Sequence, residues 1–233
     1  HHPDRRHVDG FAQQRTQKAI VFQFGHGIFQ LAGPQMRAIL ALLNSKPENK
    51  QMPPVRSFDK RNPGIHASAW IDPTAVVIGD VVIGADSSVW PMAVVRGDVN
   101  SIRIGSSTNI QDGSILHVSH AGDFGEGAAL TIGDEVTTGH RVILHACSIG
   151  NRCLVGMGAI VMDNAVIEDE VILAAGSLVP EGKRLESGYL YLGSPAVRKR
   201  PLTGRERAWL TYSASHYVRL MQRHRDSSKR SPI

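Results

Sequence analysis

From residue 65 onward an aliphatic side chain recurs at every sixth position. The series runs Ile65, Ile71, Val77, Ile83, Val89 and Val95, then Ile104, Ile110 and Leu116, then Ile132 and Leu144 on either side of Thr138. It closes with Ile149, Val155, Val161, Ile167, Leu173 and Val179. Four positions after sixteen of these eighteen residues stands a small or narrow one, among them Ala69, Ala75, Val99, Ser148, Val171 and Ser177. A period of six is neither the 3.6 of a helix nor the plain alternation of a half-buried strand. It is the period of a solenoid, in which each unit is one short strand and a turn that bury nothing until neighbours stack on them. Three such strands close one triangular coil of about eighteen residues, with aliphatic side chains inside and small residues relieving the corners. The fold predicted is mainly β, a left-handed parallel β-helix. A sandwich would need period-two alternation and hairpin turns such as Asn-Gly, which are absent.

The repeat breaks in three places. Three extra residues fall between Val95 and Ile104, a long loop covers 117–130, and one residue is missing between Leu144 and Ile149. Solenoids tolerate such changes at corners, and functional residues collect there. After Val179 the repeat is expected to stop. Thr203 and Glu206 then form a capping box, and Leu210, Ala214, Tyr217 and Met221 share one face of a helix that packs back along the coil. The organisation expected is an N-terminal appendage over 1–51, a β-helix over 52–200, a C-terminal helix over 201–225 and a basic tail over 226–233. The appendage is glutamine-rich and without clear period, a short helix over 35–43 is compatible with it, and Met52 reads as a natural start.

Composition narrows the classes. Of the net charge of +5, most lies in residues 1–51, where seven Lys or Arg face three Asp or Glu. The body of the chain therefore carries no basic surface fit for nucleic acid, and the run from Arg219 to Arg230 reads as a solvated helix end. No apolar run is long enough to span a membrane. Cys147 and Cys153 form neither a disulfide framework nor a C-x-x-C zinc motif, so a reducing, cytoplasmic location is expected.

The chemistry is carried by histidines. His140 and His145 are five apart, and an odd separation sends them to opposite sides of any one straight strand. The solenoid register resolves this. His117 follows inward Leu116, His145 follows inward Leu144, and Leu144 stacks above Leu116, so the two imidazoles share a face one rung, about 4.8 Å, apart. His140 lies a corner earlier, beyond reach in its own chain, and a cyclic trimer would bring it from a neighbour. Three neutral imidazoles with one open position are the ligands of a catalytic zinc. Gln111, six before His117, sits at the equivalent outward position one face away, and Arg96 offers a planar fork for a carboxylate or bicarbonate.

The segments VVRGDVNSIRIGSSTNIQDGSILHV and VTTGHRVILH, with the ending KRLESGYLYLGSPAV, resemble the γ-class carbonic anhydrases and their bacterial hexapeptide-repeat and ferripyochelin-binding-protein-like branch, over roughly residues 60–202. The resemblance implies a homotrimer in which His117 and His145 of one subunit and His140 of the next hold zinc, or iron or cobalt. It implies reversible hydration of CO2 to bicarbonate by a metal-bound hydroxide. It also implies that Arg96 and Asp98 pair across the trimer interface and position bicarbonate, that Gln111 holds the metal-bound water, and that Asp112 and Asn109 support that network. The family pattern has a shuttle glutamate directly after the aspartate, where this chain has Val99. His120, three residues past His117, is the candidate substitute, because an imidazole can accept and release a proton. The competing expectations are an acyl-CoA-handling transferase or thioesterase, and a non-catalytic trimer held together by its metal.

Overall fold

A computed structural model describes residues 20–24, 27–31, 54–123 and 125–230. The chain divides into two compact units, residues 1–51 and 52–233. In the first, strands Ile20–Phe24 and Gly27–Leu31 pair antiparallel. The helix entertained over 35–43 lies outside the described residues.

The second unit is a parallel β-helix whose core is the six-residue series. On the first of its three faces Val77, Val95, Leu116, Leu144, Val161 and Val179 stack in register. This face carries two of the histidines outside and is called here the histidine face. The next face stacks Ile65, Ile83, Ile104, Ile132, Ile149, Ile167 and Leu185. The third, the helix face, stacks Ile71, Val89, Ile110, Thr138, Val155, Leu173 and Tyr191. Strand pairing lets each short segment borrow its hydrogen bonds from the rungs above and below, which is why segments of two or three residues persist as strands.

The repeat runs further than its aliphatic signature. Leu185 and Tyr191 continue the six-residue spacing past Val179 and are buried, so the expected stop is two strands too early. Tyr191 was invisible to an aliphatic count, yet it fills the same inward slot and its hydroxyl accepts the Glu186 amide at 2.8 Å. Strand Val197–Pro201 then turns back antiparallel on Tyr189–Leu192.

Two of the sixteen small positions also fall differently. Val99 and Ser148 are exposed, because each lies beside a change of repeat length. Ile102 and Cys147, two residues before the next aliphatic, take the inward corner slots instead. The corners are turned by residues in the left-handed region, including Arg141 (φ 58°) and Ala146 (φ 45°), which bracket the strand Ile143–His145. Gly139 is required by stacking, since a Cβ there would come within 2.8 Å of Met157 N.

The helix spans Gly204–Arg230, so residues 226–230, expected as tail, continue it. Its capping box forms as read, with Glu206 accepting the Thr203 amide at 2.8 Å and Thr203 Oγ1 accepting the Glu206 amide at 3.2 Å. The helix descends the helix face antiparallel to the coil's advance. Arg207 bonds Glu170 near the last rungs, Ser213 Oγ lies 2.9 Å from Thr137 Oγ1 midway, and Met221 packs on Trp70 and Trp90 of the first rungs. Of the four apolar positions read for its face, Leu210, Ala214 and Met221 are buried and Tyr217 half-buried.

Candidate metal centre

Strand Ile115–His117 pairs with Ile143–His145 in the register Leu116 to Leu144 and His117 to His145. Because the leucines point inward, alternation sends both imidazoles outward at the trailing edge of the histidine face. His117 Nδ1 and His145 Nε2 lie 3.1 Å apart. Behind each ring stands a carboxylate on the other nitrogen. Asp98 Oδ1, from the insertion after Val95, is 3.1 Å from His117 Nε2, and Asp163 Oδ1, from the corner of the next rung, is 2.5 Å from His145 Nδ1.

These contacts assign the protons. A carboxylate takes the N–H of the nitrogen facing it, so the lone pairs of His117 Nδ1 and His145 Nε2 are left facing one another. Two acceptors at that distance are satisfied by a cation between them. Two imidazoles bonded to one tetrahedral ion at about 2.0–2.1 Å would hold their nitrogens roughly 3.3 Å apart, close to the spacing found. The residues therefore fit a metal ion of zinc type. Burial holds His117 below the usual imidazole range, against the pull of Asp98. Burial also acts to raise Asp98, but hydrogen bonds from Arg96 and His117 outweigh it and hold the carboxyl below its ordinary value.

The third histidine occupies the leading edge of the same face, at the corner between helix face and histidine face. His140 Nδ1 is 2.9 Å from Asp112 Oδ2 on the rung below, which leaves Nε2 without a partner among the described residues. All three histidines thus carry one aspartate each. Beside His140, Gln111 and Asn109 are buried under the helix, with Gln111 Nε2 donating to Asn109 Oδ1 at 3.0 Å and the Tyr217 hydroxyl hydrogen-bonded to Gln111. Burial, then the charge of Asp112, push the Tyr217 phenol up. Among the described residues no three His, Cys, Asp or Glu side chains of one chain could hold a metal ion together.

Between the two edges the outside of the histidine face is aliphatic. Val94, Ile115, Ile143, Ile160 and Leu178 point outward along it, with Ile115 45% exposed and corner residue Met92 73% exposed. Asp112, His140, Met92, Val94 and Ile115 line a cavity of about 600 Å³ at its leading edge.

Several expectations are relocated. Arg96 and Asp98 pair within the chain at 2.5 Å, because residues two apart on a strand project from the same side. Asp112 serves His140, while Gln111 and Asn109 bond to each other. His120 lines a separate cavity of about 370 Å³ with Glu126, Asp163 and Glu181. Asp163 and Tyr217 were missed as site residues. Asp163 had a signal, since it follows His145 by eighteen residues, one full coil; Tyr217 had none, because only the packed helix brings it to Gln111.

Two segments, residues 62–97 and 146–181, match the bacterial transferase hexapeptide family, a pattern of six repeats. Protein YrdA of Escherichia coli K12 is 53% identical over 178 residues, covering 76% of this chain and 97% of that protein. Mitochondrial gamma carbonic anhydrase 2 of Arabidopsis thaliana is 42% identical over 174 residues, which are 75% of this chain and 62% of the plant protein. The crystal structure of a hexapeptide transferase family protein from Anaplasma phagocytophilum is 43% identical, with a TM-score of 0.66 over 71% of this chain and 95% of that one. The six-residue core and the paired histidine rungs are thus set within a known lineage: the chain belongs to the hexapeptide-repeat family that includes the γ-class carbonic anhydrases.

Proposed function

We propose that this protein is a metal-dependent lyase interconverting CO2 and bicarbonate, with each site shared between adjacent copies of a homotrimer. His117 and His145 of one copy and His140 of the next are the ligands. The observation that carries this reading is the 3.1 Å approach of His117 Nδ1 to His145 Nε2, each ring backed by its own aspartate. His140, similarly backed by Asp112, stands at the opposite edge of the same aliphatic face. An exposed apolar surface of this kind favours a partner, and joining one edge to the opposite edge of the next copy is a heterologous contact that closes as a ring.

A zinc, iron or cobalt ion held by three neutral imidazoles supplies a Lewis acid that lets water ionise near pH 7. The side chains around it do the positioning. Asp98, Asp163 and Asp112 fix the tautomer and plane of their histidines. Arg96, half-exposed and braced by Asp98, presents guanidinium N–H groups to the oxygens of bicarbonate. Gln111, held by Asn109 and Tyr217, has a fixed amide dipole that orients a nucleophile without neutralising it. The proton released by hydration passes to His120 on the neighbouring loop. Acyl transfer from CoA finds no comparable support, since His117, His140 and His145 are each committed to a carboxylate and the first and last stand at metal-ligand spacing.

Metal analysis combined with stopped-flow CO2 hydration tests the reading. Purified protein is expected to carry close to one ion per chain and to lose it after His117→Ala or His145→Ala, since two imidazoles hold a tetrahedral ion poorly. Full occupancy in either variant would remove the assignment.

A further inference from the structure

The C-terminal helix has a second face that packing on the coil does not use. Arg205, Trp209, Tyr212 and His216 recur at helical spacing and are exposed, Trp209 by 53% and Tyr212 by 52%. Their rings form a ladder, with centroids 5.2 Å apart from Trp209 to Tyr212 and 6.0 Å from Tyr212 to His216. Arg205 makes no ion pair among the described residues.

This stripe flanks a particular edge. Ser215, Val218, Arg219 and Gln222 face Ser107 and Glu135, at the corner where the helix face begins. Ser213 and Tyr217 face Thr137 and Gln111 toward the other corner, the one that holds His140. At about 100° per residue, Trp209 and His216 project on the Ser213 side, beyond the His140 edge.

The opposite edge of the molecule offers a counterpart. At the trailing edge, loop residues from Ser119 to Gly127 line a cavity of about 370 Å³ whose wall includes Glu126, Asp163 and Glu181. We propose that the Arg205–Trp209–His216 edge of one copy docks against this acidic cavity of the next copy. The proposal rests on the shared-site trimer above, in which the His140 edge meets the His117 and His145 edge.

Heights along the coil agree with it. Rungs are spaced about 4.8 Å, and four helix residues advance about 6 Å. Ser213 is level with Thr137, whose coil continues into His145. Trp209 is a little over one rung higher, at the level of Asp163, and Arg205 a further such step, at the level of Glu181. A copy related by a threefold axis along the coil keeps these levels, so Arg205 meets Glu181 and Trp209 meets the loop beside Asp163. Charge is complementary where the Arg205 cation meets a cavity lined by three carboxylates, and the rings supply apolar contact area beside it. The partner copy thereby walls the cavity that borders the Asp163–His145 pair.

Trp209 reports on this directly, because Trp70 and Trp90 are buried. Acrylamide quenching of the full chain, with Trp209→Phe subtracted to isolate the Trp209 emission, is expected to show a shielded tryptophan in the assembled protein. Arg205→Glu and Glu181→Arg each should raise its quenching constant severalfold, and the double reversal should return it to the wild-type value. Light scattering run in parallel separates the readings. A mass of three chains with Trp209 quenched as freely as in a short peptide overturns the docking and leaves the shared site standing. A mass of one chain overturns both.

Discussion

His140 and His145 stand at opposite edges of one face of the β-helix, held there by Asp112 and Asp163 respectively. The corner at Arg141 and the strand Ile143–His145 lie between them, and among the described residues no three ligating side chains of one chain come together. His117, twenty-eight residues before His145, lies instead in ring contact with it, at 5.2 Å between centroids. Sequence neighbours are thus divided and distant residues joined.

That division predicts complementation. Random mixed trimers of His140→Ala and His117→Ala chains should retain about a quarter of their metal sites, from the symmetry of a cyclic trimer. Mixing His117→Ala with His145→Ala should restore none, since every site lacks one member of the pair. Bound metal after co-expression measures both. Equal recovery in the two mixtures would show that the histidines are not shared between copies.

Val99→Glu should raise CO2 hydration. Val99 is 45% exposed beside Asp98, so a carboxylate there meets water and not the core. A positioned proton carrier is worth roughly 10²-fold or more in turnover. An unchanged stopped-flow rate in the folded, metal-loaded variant would place the limiting step elsewhere.

The helix cap gives a pH dependence whose sign follows from Glu206. The Arg200 guanidinium, then the Thr203 amide and hydroxyl, bring its carboxyl from 4.5 down to about 2. A group lowered in the folded state stabilises above its unfolded value and loses that contribution as pH falls from about 4.5 toward 2. Glu206→Gln should flatten this part of the stability curve and weaken the fold at neutral pH. Parallel acid titrations of the two proteins by circular dichroism would contradict it if their slopes matched.

Thr138 is the one polar side chain among the eighteen inward residues from Ile65 to Val179, and its buried hydroxyl has no hydrogen-bond partner among the described residues. Thr138→Val keeps the shape and removes the unsatisfied group, so it should stabilise by about 1 kcal/mol or more. Denaturant midpoints at equal slope check this; a lower midpoint would mean that the hydroxyl is satisfied in solution.

The cysteines stay silent in this picture. Burial pushes the Cys147 thiol up and the Cys153 thiol up to about 12, so neither forms thiolate in the folded chain at neutral pH.

The sequence alone determined the repeat, because an inward aliphatic every six residues is a local rule that each rung obeys independently, and register then follows by counting. The same counting placed His117 beside His145, since both follow an inward leucine. The helix and its cap were equally legible, as Thr203 and Glu206 interact three residues apart. Counting failed where rung length changes, putting Val99 and Ser148 inside, and it was stopped at Val179 although Leu185 keeps the spacing and Tyr191 fills the following slot with an aromatic. Tertiary structure alone decided that Asp98 backs His117, that Asp112 backs His140, and that Tyr217 reaches Gln111, while Asp163, one coil past His145, could have been counted. Those three contacts join rungs and helix across 19 to 106 residues of chain, and a bond made across packed surfaces leaves little periodic trace in either segment.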